Sequence, residues 1–146
     1  MEKLNNFNLR VYGILQSQDC VLITDEIRGG TKMTKFPGGG LEFGEGLASA
    51  LAREFKEELD IIVKVEGLIY INDFLQTSSF KKNDQLLCVY YHVSQLCDTI
   101  IETVSFPFEV LNSDDQCFRW VKKDELSKDQ FTYPIDKVIA EKLRNE

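Results

Sequence analysis

Gly39 to Ile61 runs GGLEFGEGLASALAREFKEELDI, a glycine-punctuated half followed by a half free of glycine and proline. The second half is rich in Ala, Leu and Glu, so Leu47 to Leu59 is predicted as a helix, and Pro37-Gly38-Gly39-Gly40 with Gly44 as the loop that leads into it. At about 100° per residue, Ala48, Leu51, Ala52, Phe55 and Leu59 share one arc, and Glu54, Glu57 and Glu58 fall on the adjacent one. One stripe packs and its neighbour presents carboxylates. Glu54 and Glu58 form a like-charge i, i+4 pair, and Glu57 and Glu58 stand at the helix end where the macrodipole disfavours anions. A solvated acidic face, relieved by an Arg53 to Glu57 pair, is one reading. A hard cation such as Mg²⁺ or Mn²⁺ taking carboxylate oxygens is the other, and it removes the conflict. The glycines leave backbone groups open to a metal or a phosphate, although an ordinary strand-to-helix turn uses such a run too.

Outward from this segment, Phe7 to Leu15 and Cys20 to Thr24 read as strands joined by a turn at Gln16 to Asp19, and Asp25 to Lys35 as a polar loop. Ile61 to Leu75 reads as one or two strands around Gly67. The nearly continuous apolar run Leu86 to Val93 suits a central strand buried on both faces, and Cys117 to Val121 is a further strand. Pro134 suits a first helical turn, and Ile135, Val138, Ile139 and Leu143 repeat at helical spacing. Strands on both sides of a central helix, with a closing helix, imply an α/β (α+β) layered domain in which helices cover a mixed sheet.

The chain has 146 residues, 43% of them hydrophobic, which suits one domain over 1–146. Its formal charge of -7 argues against a nucleic-acid polymer or an anionic membrane as partner and leaves small phosphorylated ligands open. Cys20, Cys88, Cys97 and Cys117 are scattered, without a Cys-x-x-Cys pair, and read as reduced thiols rather than zinc ligands. No apolar leader or span is visible, so a cytoplasmic protein is expected.

The segment Gly39, Glu45, Arg53-Glu54-Phe55-Lys56-Glu57-Glu58-Leu59-Asp60-Ile61 resembles the Nudix box: Gly, five residues, Glu, seven residues, Arg-Glu-apolar-any-Glu-Glu-any-Gly-apolar. Only Asp60 departs from it, at a glycine position that follows the helix, where Asp tolerates the left-handed conformation better than most residues. The preceding Phe36-Pro37-Gly38-Gly39-Gly40-Leu41-Glu42 extends the likeness. Resemblance to the MutT-like Nudix hydrolases implies a Nudix α/β/α sandwich with a mixed sheet between helices. It also implies hydrolysis of a diphosphate linkage in a nucleotide or a nucleoside diphosphate joined to another moiety, with Mg²⁺ or Mn²⁺ as cofactor.

Carried over by position, Glu54, Glu57 and Glu58 and the Gly39 carbonyl would hold the metal, with Glu54 and Glu57 catalytic. Arg53 would orient these carboxylates and Glu45 would tie the loop to the helix. A surface Arg paired with Glu57 and an acid near a helix start are the plain alternatives for those two. Asp114 and Asp115, ahead of Trp120, match the place of a further acid found in many members, with Asp114 closer by spacing; a polar turn explains them equally. Phe118 and Trp120 read as core, and His92 is given no role. Arg28 and Lys32 read as solvated loop charges, and Phe7, Tyr12, Phe74 and Tyr133 stand open between core and pocket. The substrate class spans nucleoside triphosphates, ADP-ribose and nucleotide sugars, and a homodimer is an expectation from resemblance. The alternative is a non-catalytic module that senses a nucleotide or sugar; isomerisation of an isoprenoid diphosphate ranks last, because no catalytic Cys can be placed.

Overall fold

The computed structural model describes residues 3–109, 112 and 114–146. β1 (Asn6–Ser17) turns at Gln18 and Asp19 into β2 (Cys20–Arg28), with Gln16 opposite Val21. The stretch Asp25 to Lys35, expected as a loop, is instead a hairpin. β2 continues to Arg28 and β3 (Thr31–Lys35) returns antiparallel, from Arg28 opposite Thr31 to Thr24 opposite Lys35. Gly29 and Gly30, at φ 55° and 79°, give the two positive values that a tight primed turn requires. Its polarity misled because the side chains turned inward are Asp25 and Thr34, which are buried but bonded to each other.

The glycine run is also a strand rather than a loop: β4 (Gly38–Gly40) pairs antiparallel with Arg10, Val11 and Tyr12 of β1. A Cβ at Gly38 would run into the Val11 carbonyl and the Tyr12 backbone, so no other residue fits there. α1 (Leu47–Leu59) occupies the predicted bounds. Asp60 ends it at φ 53°, ψ 39°, the left-handed cap conformation, with its N–H on the Lys56 carbonyl.

The buried arc of α1 is displaced from the predicted one. Ala48 is exposed, and Ala50, Leu51 and Phe55 are buried. Glu54 and Glu58 project between the directions of Ala50 and Phe55, so these two acids lie inside the packed face and not beside it.

β5 (Val63–Ile71) is one strand, irregular on both sides of Leu68, paired antiparallel with β6 (Asp84–Gln95). β6 lies parallel to β1 through ten pairs, from Asn6 opposite Asp84 to Leu15 opposite Val93. β7 (Gln116–Lys122) pairs with β2. The order β3-β2-β1-β6-β5, with β4 on β1 and β7 on β2, makes the expected mixed sheet. In β6 Cys88, Val89 and Tyr90 are the consecutive residues buried on both faces; Asp84 and Val93 are also buried, and Leu87 is exposed.

α2 (Pro134–Arg144) begins with Pro134 and buries Ile135, Ile139, Ala140 and Leu143. On its side of the sheet these pack with Tyr12, Ile14, Phe36 and Tyr90. On the other side α1 packs Leu51 and Phe55 on Val11, Leu15 and Val93, and Phe118 and Trp120 join that core. Alternate residues of β1 therefore feed two cores, giving an α/β/α sandwich. All four cysteines are free; Cys88 and Cys117 are buried, and Cys20 and Cys97 half-buried. Among the described residues no helix is long and apolar enough to cross a membrane.

Candidate active site

Arg53, in the middle of α1, gathers the glycine segment and the acidic face around one guanidinium. Nε donates to Glu45 Oε2 at 2.5 Å and Nη2 to Glu45 Oε1 at 2.9 Å, a two-pronged grip. Nη2 also donates to the Gly40 carbonyl at 3.0 Å, and Nη1 to Glu54 Oε1 at 3.1 Å and Glu57 Oε2 at 3.2 Å. Glu45 accepts in addition the Glu42 amide, so the segment between β4 and α1 is folded onto the helix. The two hydrogen bonds that Arg53 donates to Glu45 hold the guanidinium firmly charged and hold the Glu45 carboxyl below its usual range.

The three helix acids have different surroundings. The Glu54 side chain is 13% exposed and its carboxylate lies where a Cβ at Gly39 would stand. Only a glycine strand lets it approach the backbone so closely. Glu57 is 59% exposed and leans on Arg53. Glu58 is half-buried, and burial pushes its carboxyl up to about 7; nearby Lys35 opposes this, Glu54 and Glu26 add to it, and a hydrogen bond from Gln116 opposes it.

Glu26, on the part of β2 read as loop, is therefore an acid of this site that the sequence reading missed. A period-2 pattern through Ile23, Asp25 and Ile27 was the available signal for a longer strand. Asp114 accepts the Gly29 amide at the hairpin tip, and Asp115 caps its own turn by accepting the Asn112 amide. Both are exposed, and no bond joins either to the helix acids among the described residues.

On the α2 side of the sheet a cavity of ≈ 170 Å³ opens, lined among others by Arg10, Tyr12, Lys35, Tyr90, Phe80 and Asp136. Tyr12 and Tyr90 are stacked at 5.2 Å on its floor. Arg28 is exposed, as expected, but it ends β2 rather than lying in a loop, and it stacks on Phe80 at 4.4 Å at the cavity wall. Lys32 lies 5.4 Å from the Phe108 ring. Tyr12 and Tyr133 line the cavity, Phe74 packs on the α2-side core and Phe7 is exposed.

Whether these residues suit a divalent cation can be judged from the donors. Glu54, Glu57 and Glu58 offer hard oxygens from successive turns of one helix, beside a strand without side chains. Burial and two neighbouring carboxylates hold the Glu58 proton near neutrality, which is the repulsion a cation relieves. The set fits. Among the described residues no three acids, histidines or cysteines already converge as a cage, and Arg53 occupies one oxygen each of Glu54 and Glu57.

A sequence model of the family described as NUDIX domain matches residues 7–142. Among solved structures, the chain is similar to a MutT protein from Methanosarcina mazei Go1, at 14% identity over 99% of this chain and 96% of that one, with a TM-score of 0.71. A NUDIX hydrolase from Nitrosomonas europaea is 22% identical over 94% of this chain and 88% of that chain, with a TM-score of 0.66. An ADP-ribose pyrophosphatase from Streptococcus suis is 17% identical over 93% and 86%, with a TM-score of 0.58. At such identities these likenesses show the shared fold.

Proposed function

As the chain belongs to the Nudix family, we propose that it is a pyrophosphohydrolase that cleaves the diphosphate linkage of a small nucleotide-type substrate with Mg²⁺ or Mn²⁺ held by Glu54, Glu57, Glu58 and the Gly39 carbonyl. The observation that carries this reading is the Glu54 carboxylate lying against Gly39, with Arg53 fixing it from the far side. A bound cation would supply Lewis acidity, neutralising the diphosphate and lowering the pKa of a water.

The chain's own groups do the rest. Arg53 engages Oε1 of Glu54 and leaves Oε2 free of protein donors among the described residues, so Glu54 can accept the proton of the attacking water at that oxygen. The bonds that Arg53 donates to Glu45 and to the Gly40 carbonyl hold it in place, which keeps the acids positioned before substrate arrives. The organic group of the substrate lies in the cavity beside Tyr12 and Tyr90, and the diphosphate extends toward α1.

The test is a panel of nucleoside triphosphates, ADP-ribose, nucleotide sugars and dinucleoside polyphosphates with Mg²⁺ or Mn²⁺, products being identified by mass. Cleavage within the diphosphate of at least one member, abolished by excess chelator, is expected. No turnover across the panel, or turnover that survives the chelator, overturns the proposal; the former favours a binding module.

A further inference from the structure

Two cations of the cavity wall lie within electrostatic reach of the acids of α1, and neither has a role so far. Arg10 projects from β1 and Lys35 ends β3. Both flank the buried Tyr12 ring, each with its charge 5.8 Å from the ring centroid. Arg10 Nε donates to the Tyr12 hydroxyl at 3.0 Å, and Lys35 Nζ lies 3.1 Å from Glu26 Oε2. Among the described residues Arg10 has no carboxylate within ion-pair distance.

Burial works against both charges, and their neighbours outweigh it: Tyr12, Cys88 and Glu54 for Arg10, and Tyr12, Glu26 and Glu58 for Lys35. Each cation thus senses the cavity wall on one side and an acid of α1 on the other. The glycine strand explains how. Glu54 fills the side-chain space of Gly39, while Arg10 Nη1 lies 3.5 Å from the side-chain space of Gly40, so only a bare backbone parts them.

A protein of formal charge -7 that holds two half-buried cations at one point, one of them unpaired, is built to receive an anion there. We propose that Arg10 and Lys35 bind the non-bridging oxygens of the phosphate nearest the organic group of the substrate. That phosphate joins the cavity to the carboxylates, and Glu26 positions Lys35 for it. The inference rests on the hydrolytic reading and narrows it: the phosphate bound here carries the ester to the organic group throughout, as one half of the diphosphate before cleavage and as a monophosphate ester after it, with the organic group in the cavity.

Binding without metal tests it. AMP, GMP, CMP and UMP are titrated by calorimetry in the presence of EDTA, each against its own nucleoside. At least one monophosphate is expected to bind about tenfold tighter than its nucleoside, in line with two charge-assisted contacts. Arg10→Gln and Lys35→Met should remove that preference and leave nucleoside binding and Tm in place, and Lys35→Arg should restore part of it. With the panel substrate, both variants should raise KM more than they lower kcat, whereas Lys64→Gln on the exposed β5 edge should change neither. Equal affinity for monophosphate and nucleoside in the native protein, or unchanged KM in both variants, overturns the inference while hydrolysis stands. Absence of turnover by the native protein overturns the hydrolytic reading and is read from the panel alone.

Discussion

Two arginines, Arg53 on α1 and Arg119 on β7, each grip a carboxylate with two prongs, and their surroundings differ. Arg119 donates Nε to Asp25 Oδ2 at 2.6 Å and Nη2 to Asp25 Oδ1 at 3.1 Å. Thr34 Oγ1 and the Phe108 amide donate to the same carboxylate, which is fully buried. One acid meets one base with its lone pairs filled, and the result fastens β2, β3 and β7 together. Arg53 meets Glu42, Glu45, Glu54 and Glu57 at once, with Glu58 beyond. There negative charge is left over, and at Glu42 and Glu57 it faces solvent. A closed pair serves the fold, and an unbalanced one leaves something for a ligand to complete.

Neutralising the open cluster should give the larger effect on turnover. Glu57→Gln and Glu58→Gln are expected to lower metal-dependent cleavage by about 10²–10⁴-fold, with Tm and circular dichroism unchanged, because Glu57 is exposed and only shares Arg53 with other acids, and Glu58 has no ion pair among the described residues. Full activity in either variant would place the metal elsewhere. Next in size, Arg119→Met leaves Asp25 buried without its partner and should cost about 3–5 kcal/mol in denaturant unfolding. Replacing both partners, as Asp25→Leu with Arg119→Met, should recover much of that loss. If the single substitution costs no more than Glu57→Gln, the distinction between the two clusters is lost.

Asp136 sharpens the contrast from a third side, since it is buried and bonded but lacks an ion pair among the described residues. It accepts the Tyr90 hydroxyl at 2.6 Å, and burial pushes it up to about 7. Tyr90 and Cys88 face it from β6, Lys35 from β3 and the Phe36 amide from the segment beyond. The unfolded carboxyl titrates near about 4, so between about 4 and about 7 the folded state keeps a proton that the unfolded state has lost. Stability therefore falls as pH rises through that window, and levels off above it. Urea midpoints for the native protein and Asp136→Asn should show a shallower fall in the variant. Parallel curves would mean that Asp136 does not hold its proton.

The sequence showed most where side chains follow a single rule. Leu47 to Leu59 lacks helix breakers and ends at Asp60, and the helix has those bounds. Reading failed where polar groups pack against each other. Asp25, Thr34 and Arg119 look solvated along the chain but are mutually buried, and that concealed the β2–β3 hairpin and with it Glu26 and Lys35. Glycines concealed β4, because a strand made only by backbone bonds to β1 has no side-chain pattern. The acids of α1 were legible as a set. Their unequal burial was not, since it depends on which alanine meets the sheet, and Ala50 does so in place of Ala48.

The parallel register of β1 and β6 has a kinetic side. Every element that carries the acids, the arginine and the cations, other than Arg10 on β1 itself, lies in the chain between these two neighbouring strands. Their pairing closes a long loop, and loop-closure entropy must be met before those contacts return anything. Helix α1 can form by local contacts, yet its acids face the backbone of β4 only once β1 is in place. Val93 of β6 belongs to the core on which Leu51 and Phe55 pack, so a chain with β6 unpaired would carry the full motif on an incomplete support.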